Sequence, residues 1–194
     1  MKEIETERLV LKPWKEEYAD SLFAYAKNPD VGPHGGWKPH ESVAESLKII
    51  KTLFMPNDVW AIALKGNGKI VGSVGLEPDK RRPGVKSREI GYSLAKEYWG
   101  NGIITEAVEA VLEFAFDVFK LEVVCACTSP ENKRSQKVLT KCGMTYEGTE
   151  RRVYKTYDGT VRDSKCYSVL REEWEQLRTS TSPPSFLKSS KNNG

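Results

Sequence analysis

Apolar and polar residues alternate in Arg8-Leu9-Val10-Leu11-Lys12, which predicts a first strand. The next two apolar runs change period. Tyr18, Leu22 and Ala26, then Val43, Leu47, Ile50 and Phe54, recur every three or four residues and predict helices over 16–26 and 41–54. Val59 to Leu64 and Lys69 to Glu77 read as strands joined by Lys65-Gly66-Asn67-Gly68, residues that tolerate the positive φ of a hairpin turn. Arg88 to Leu94 is a further strand, followed by a turn holding Gly100 and Gly102. Ile104, Ala107, Val108, Val111, Leu112 and Ala115 then mark one face of a helix running to about Phe119. Leu121 to Thr128 is a strand, and Val138, Leu139 and Cys142 are the inner face of a helix that stops at Gly143. Thr145 to Tyr157 and Val161 to Leu170 are long strands about Asp158-Gly159, and Arg171 to Arg178 is a short helix. The order β, α, α, β, β, β, α, β, α, β, β describes a mixed α/β domain.

Turn chemistry sharpens several boundaries. The first helix stops at Asn28-Pro29, because the residue before a proline is steered away from helical backbone. Ser129 is placed to cap the later helix, with Pro130 at its first position and Glu131 favoured by the dipole. Asn28 to His40, 13 residues with three prolines and three glycines, is a loop. Trp37 and His34 either line a pocket there, or the tryptophan packs on the core below a plain connector. Asp79 to Arg88 is a second connector, whose five basic residues read as a solvated loop or as a patch for phosphates.

Composition adds limits. At 194 residues, 39% hydrophobic and 29% charged, the chain is expected to form one domain over residues 1–178, with a disordered Ser/Thr/Pro/Asn-rich tail over 179–194. A net charge of +3 gives no argument for nucleic acid. No apolar run spans a bilayer and no signal-peptide core opens the chain, so a cytoplasmic protein that does not engage membranes is expected. Cys125 and Cys127 alternate within a strand and read as core thiols rather than metal ligands, and no metal is expected.

The chemistry concentrates at the glycine turn. Glycines free the backbone to take positive φ, and the first helical turn presents unpaired N–H groups at the positive end of the dipole, so such a turn can hold a phosphate. A P-loop requires Gly-Lys-Ser/Thr, and Gly102 is followed by Ile103, Ile104 and Thr105. A dinucleotide fingerprint requires a third glycine where Thr105 stands, and Glu122 opens the next strand instead of closing it.

Glu89-Ile90-Gly91-Tyr92-Ser93-Leu94 and Trp99-Gly100-Asn101-Gly102-Ile103-Ile104-Thr105-Glu106-Ala107 together resemble the acetyl-CoA-binding motif of the GNAT superfamily of N-acetyltransferases. Trp-Gly-x-Gly followed by Thr-Glu-Ala, and the opening Glu5-Thr6-Glu7-Arg8-Leu9, are similar to its RimJ/RimL-like, ribosomal-protein N-terminal acetyltransferase branch. Asn132-Lys-Arg-Ser135 with Cys142-Gly143-Met144 resembles the second cofactor motif, with Leu139 where many members carry a tyrosine acid.

The resemblance implies a mostly antiparallel central sheet, flanked by helices and splayed between the strand ending near Leu94 and the one beginning near Val123. It also implies transfer of an acetyl group from acetyl-CoA to a primary amine, a protein N-terminus or a small molecule. Acetyl-CoA would be held by Ser93, Leu94 and the N–H groups of Gly100, Asn101, Gly102, Ile103, Ile104 and Thr105. Trp99 would pack beside the diphosphate, Asn132 would bond the pantetheine, Lys133 or Arg134 would meet the 3′-phosphate, and Ser135 would lie near the sulfur. Glu89 is the candidate base, or else an ion-pair partner. The Leu94 N–H is the candidate oxyanion donor, and Ser135 the candidate donor to the departing thiolate. His34, Trp37, Tyr92 and Tyr157 form the candidate acceptor surface, entered between the 28–40 loop and the 155–162 hairpin. A coenzyme A-binding sensor without turnover and a nicotinamide-nucleotide protein are the rival readings. Oligomeric state is open, a homodimer included.

Overall fold

The computed structural model describes residues 2–180. Its centre is an eight-stranded sheet in the order β1-β2-β3-β4-β5-β6-β8-β7. In chain order the strands are β1 (Ile4–Glu5), β2 (Leu9–Pro13), β3 (Asp58–Leu64), β4 (Ile70–Pro78), β5 (Ser87–Leu94), β6 (Val123–Thr128), β7 (Thr145–Lys155) and β8 (Val161–Leu170). Every pairing is antiparallel except that of β5 with β6. The expected mixed, mostly antiparallel architecture is therefore present. β1, only two residues long, leaves no periodic trace and was not expected from the sequence.

Alternation along the strands builds a core on each face. Leu9, Leu11, Trp60, Ile62, Val74, Leu76, Ile90 and Leu94 face one way and meet α4 (Ile103–Asp117), α5 (Lys133–Lys141) and α6 (Arg171–Ser180). Val59, Ala61 and Ala63 face the other way, beneath α1 (Ala19–Ala26) and α3 (Val43–Ile49). All six apolar positions that define the stripe of α4 in the sequence are buried.

Three boundaries move. α3 starts at Val43, where the Ser42 side chain accepts the Glu45 N–H at 3.1 Å, and its last turn widens over 50–54. Gly32–Gly35 folds into a single helical turn, α2, inside the 28–40 loop. α5 starts at Lys133, capped by Asn132 in place of Ser129, whose hydroxyl instead accepts the Glu131 N–H. Thr179 and Ser180 continue α6, and the rest of the expected disordered tail lies outside the described residues.

Candidate active site

β5 and β6 run parallel only through Ser87↔Val123, Arg88↔Val124 and Glu89↔Cys125, although β5 continues to Leu94 and β6 to Thr128. Beyond Glu89 the sheet opens. On the other edge of β5 the Ala95 N–H donates to the Val71 carbonyl at 2.8 Å. Hydrogen-bonding direction alternates along an antiparallel strand, so the peptide groups of Tyr92 and Leu94 turn away from β4 and into the opening. The Leu94 carbonyl takes the Trp99 indole N–H at 2.9 Å, which leaves the Leu94 N–H facing the cleft. Buried peptide groups require partners. A ligand arm carrying amides fits that unpaired edge.

At the end of the opening, Gly100 and Gly102 adopt φ of 82° and 75°. A Cβ at Gly100 would meet nothing within 4 Å, so backbone conformation rather than crowding calls for glycine there. The first intrahelical bond of α4 runs from the Glu106 N–H to the Gly102 carbonyl at 3.0 Å, leaving the preceding N–H groups without intrahelical acceptors. The carbonyl of Asn101 is turned outward and accepts from Arg8 Nη1 at 2.9 Å.

A cavity of about 960 Å³ joins the splay to this turn. It is lined by Leu94, Trp99, Gly100 and the residues from Gly102 to Thr105, together with Ser93, Asn132, Arg134 and Ser135. Glu89, Tyr92, His34 and Trp37 border it as well. Trp37 fulfils both roles open to it, since it lines the cavity and packs on the core under α1. Asn101 and Tyr157 do not border the cavity. Asn101 faces Arg8, and the half-exposed Tyr157 donates its backbone N–H to the Gly36 carbonyl at 3.2 Å. Tyr154 borders the cavity in its place.

Glu89 is paired with Arg81, whose Nη2 donates to Oε2 at 2.8 Å, while Oε1 carries no hydrogen bond among the described residues. Burial pushes the Glu89 carboxyl above its ordinary range, with Arg81 pulling the other way. Behind it, the Tyr25 phenol is pushed up to about 12 by burial and accepts a long bond from Ser93, at 3.5 Å. Ser93 and Ser73 share a hydroxyl contact of 2.9 Å across β4 and β5.

On the other side of the sheet, Ser135 stands one turn into α5. Its N–H donates to Asn132 Oδ1 at 3.1 Å, and its hydroxyl lies 2.8 Å from the Tyr92 phenol. The oxygen of Asn132 is thereby spent on the helix cap. Burial raises the Tyr92 phenol further, so it acts as a hydroxyl and not as a phenolate. Leu139 is 1% exposed and belongs to the core.

Arg134 stacks on Trp99, 4.2 Å from the ring centroid, and its Nη2 lies 3.2 Å from His34 Nε2. Arginine can only donate, so His34 accepts at Nε2 and its remaining proton is on Nδ1.

The loop and the hairpin are joined by hydrogen bonds. Arg162 Nη1 donates to the Pro33 carbonyl at 3.2 Å and the Tyr154 hydroxyl to the Gly35 carbonyl at 3.4 Å, so the two segments form one wall. The basic connector is a solvated loop at Lys80 and from Pro83 to Lys86, which are exposed, but two of its arginines are engaged in ion pairs. Arg81 pairs with Glu89, and Arg82 reaches Glu147 at 2.6 Å and Asp79 at 3.0 Å. Arg81, Tyr154 and Arg162 were missed because their partners come from other elements and no local pattern marks them. Cys127 and Cys166, directly opposite across β6 and β8 with their sulfurs 3.1 Å apart, leave no trace in spacing either. Among the described residues, no three His, Cys, Asp or Glu side chains gather to hold a metal, and no helix is long and apolar enough to cross a membrane.

The profile of the family described as "Acetyltransferase (GNAT) domain" matches residues 8–145. The Bacillus subtilis protein called uncharacterized N-acetyltransferase YoaA is 27% identical over 87% of this chain and 96% of its own. Another from the same organism, uncharacterized N-acetyltransferase YnaD, is 33% identical over 88% of this chain and 98% of its own. The crystal structure titled ribosomal-protein-S5-alanine acetyltransferase from Vibrio fischeri superposes with a TM-score of 0.71 at 23% identity, covering 90% of this chain and 99% of that one.

Proposed function

The chain belongs to the GNAT acetyltransferase family, and from that membership we propose that it moves an acetyl group from acetyl-CoA to a primary amine by direct attack. One observation carries the reading. The unpaired edge of β5 at Tyr92 and Leu94 and the glycine turn before α4 open into the same cavity, a shape suited to a diphosphate with an amide-bearing arm. Acetyl-CoA, when bound, supplies the activated acyl group and the thiol leaving group.

The residues around it have distinct tasks. Glu89, through its open Oε1, accepts the proton that the amine must lose. The Leu94 N–H donates to the carbonyl oxygen as negative charge builds on it. The Ser135 hydroxyl, fixed by Tyr92, donates to the departing sulfur in the absence of a tyrosine at 139. Gly100 and the N–H groups from Gly102 to Thr105 hold the diphosphate, with Arg134 on Trp99 as the adjacent cation. Alignment of thioester and amine supplies much of the rate, on the order of several kcal/mol.

The acceptor class that the branch resemblance favours is a protein N-terminal α-amine. The name of the Vibrio fischeri neighbour fits that class, and a small-molecule amine is the alternative. A screen of acetyl-CoA against N-terminal peptides, polyamines and aminoglycosides, read as free thiol, tests the proposal. Turnover on one acceptor class supports it. A second reading, a coenzyme A-binding module without chemistry, is favoured by the Arg81 pair on Glu89 and by Leu139, and it predicts binding with no turnover on any amine.

A further inference from the structure

Arg8 lies outside the cavity and 98 residues from Glu106, the residue it touches in the first turn of α4. Its Nε donates to Glu106 Oε2 at 2.6 Å and its backbone N–H to Glu106 Oε1 at 2.8 Å, while Nη1 reaches the Asn101 carbonyl at 2.9 Å. Thr6 adds its hydroxyl to Glu106 Oε1 at 2.5 Å. The short segment before β2 thus grips both the turn and the first coil of α4. Burial works against the charged form of Glu106, but the bonds from Thr6 and Arg8 outweigh it and hold the carboxyl below its usual range.

Two physical consequences follow. A trans peptide carries its C=O and N–H on opposite sides, so fastening the Asn101 carbonyl to Arg8 turns the Gly102 N–H away from Arg8, toward the cavity that Gly102 borders. Glu106 is an anion beside the helix terminus where a diphosphate is expected, and the guanidinium against it offsets that repulsion.

We propose that Arg8 is a positioning residue for coenzyme binding, holding the 100–105 turn with its N–H groups presented to the diphosphate and masking the Glu106 charge beside it. This rests on the acetyl-CoA reading above and adds to it a residue that never touches the ligand.

The test compares two probes that share the pantetheine arm and differ in the diphosphate: coenzyme A, and pantetheine, which lacks the nucleotide. Both are titrated calorimetrically into the full chain and into Arg8→Met, with thermal unfolding monitored in parallel. The expected result is a loss of about tenfold in coenzyme A affinity, the scale of one charge-assisted hydrogen bond, with pantetheine affinity unchanged. Arg8→Lys, which keeps the charge but not the fork, falls between the two and serves the same comparison if Arg8→Met does not fold. Equal losses for both probes, or none for either, overturn the inference while leaving the acetyl-CoA reading intact. A wild-type chain that binds neither probe overturns that reading and this inference with it.

Discussion

Arg81 grips Glu89 by one oxygen only, Nη2 to Oε2 at 2.8 Å, and both side chains line the cavity. The pair decides what kind of base Glu89 can be. Burial favours the neutral acid and Arg81 favours the carboxylate, and burial wins, so the group protonates above the usual glutamate range. In the role proposed for Glu89 the carboxylate is the active form. The rate is therefore expected to fall as pH drops through that raised value, and Glu89→Gln to lower kcat by about a hundredfold and flatten the acidic limb.

Removing the cation moves that limb in a stated direction. Arg81→Met deletes the charge that pulls the Glu89 carboxyl down and leaves the burial that pushes it up. The acidic limb of kcat against pH then shifts to higher pH. A shift to lower pH, or none, places the titrating group elsewhere.

Ser135 and Tyr92 are expected to act as a unit because their hydroxyls are 2.8 Å apart. Ser135→Ala lowers kcat by about tenfold with little change in KM for acetyl-CoA, on the scale of one lost hydrogen bond at the sulfur. Tyr92→Phe lowers it less, and the double variant matches Ser135→Ala alone, which steady-state kinetics on all three reads directly.

The glycine turn gives a prediction about stability. Gly100→Ala meets no atom within 4 Å, so its cost is that of holding φ at 82° with a side chain, about 1 kcal/mol. For a chain of this size that lowers the unfolding midpoint by about 2–4 °C, measured by calorimetry.

Between the cavity-lining residues Gly35 and Trp37, Gly36 has φ of 83°, and a Cβ there would approach a Tyr154 ring carbon to 2.3 Å. Gly36→Ala pries the 28–40 loop from the hairpin. It is expected to raise KM for the amine severalfold, on the order of one or two lost hydrogen bonds, and to leave KM for acetyl-CoA unchanged.

Much of this was legible before any coordinates. The stripe of α4 is a local period, and Gly100 and Gly102 announce a turn that only residues free of a Cβ take comfortably. The sheet's opening between β5 and β6 came instead through resemblance, since nothing in the letters of Tyr92 to Leu94 says that a neighbouring strand departs. What stayed hidden depends on distant partners. Arg81 looks like one basic residue among five in a connector until Glu89 is seen beside it. Ser129 has the side chain of a cap, yet the chain turns once more and Asn132 takes that place, at the expense of the oxygen expected to face the pantetheine. Tyr157 and Tyr154 sit three residues apart on one hairpin, and only its register against the 28–40 loop decides which of them borders the cavity.

In the proposed site the unpaired edge of β5 and the turn before α4 receive coenzyme A through their backbone. The decisive measurement is a titration of the nitrogen-15-labelled chain with coenzyme A, following amide resonances. Binding there gives saturable shifts at the N–H groups of Tyr92, Leu94 and Gly102 to Thr105. Coenzyme-dependent shifts confined to other parts of the chain, or none at all, would contradict it.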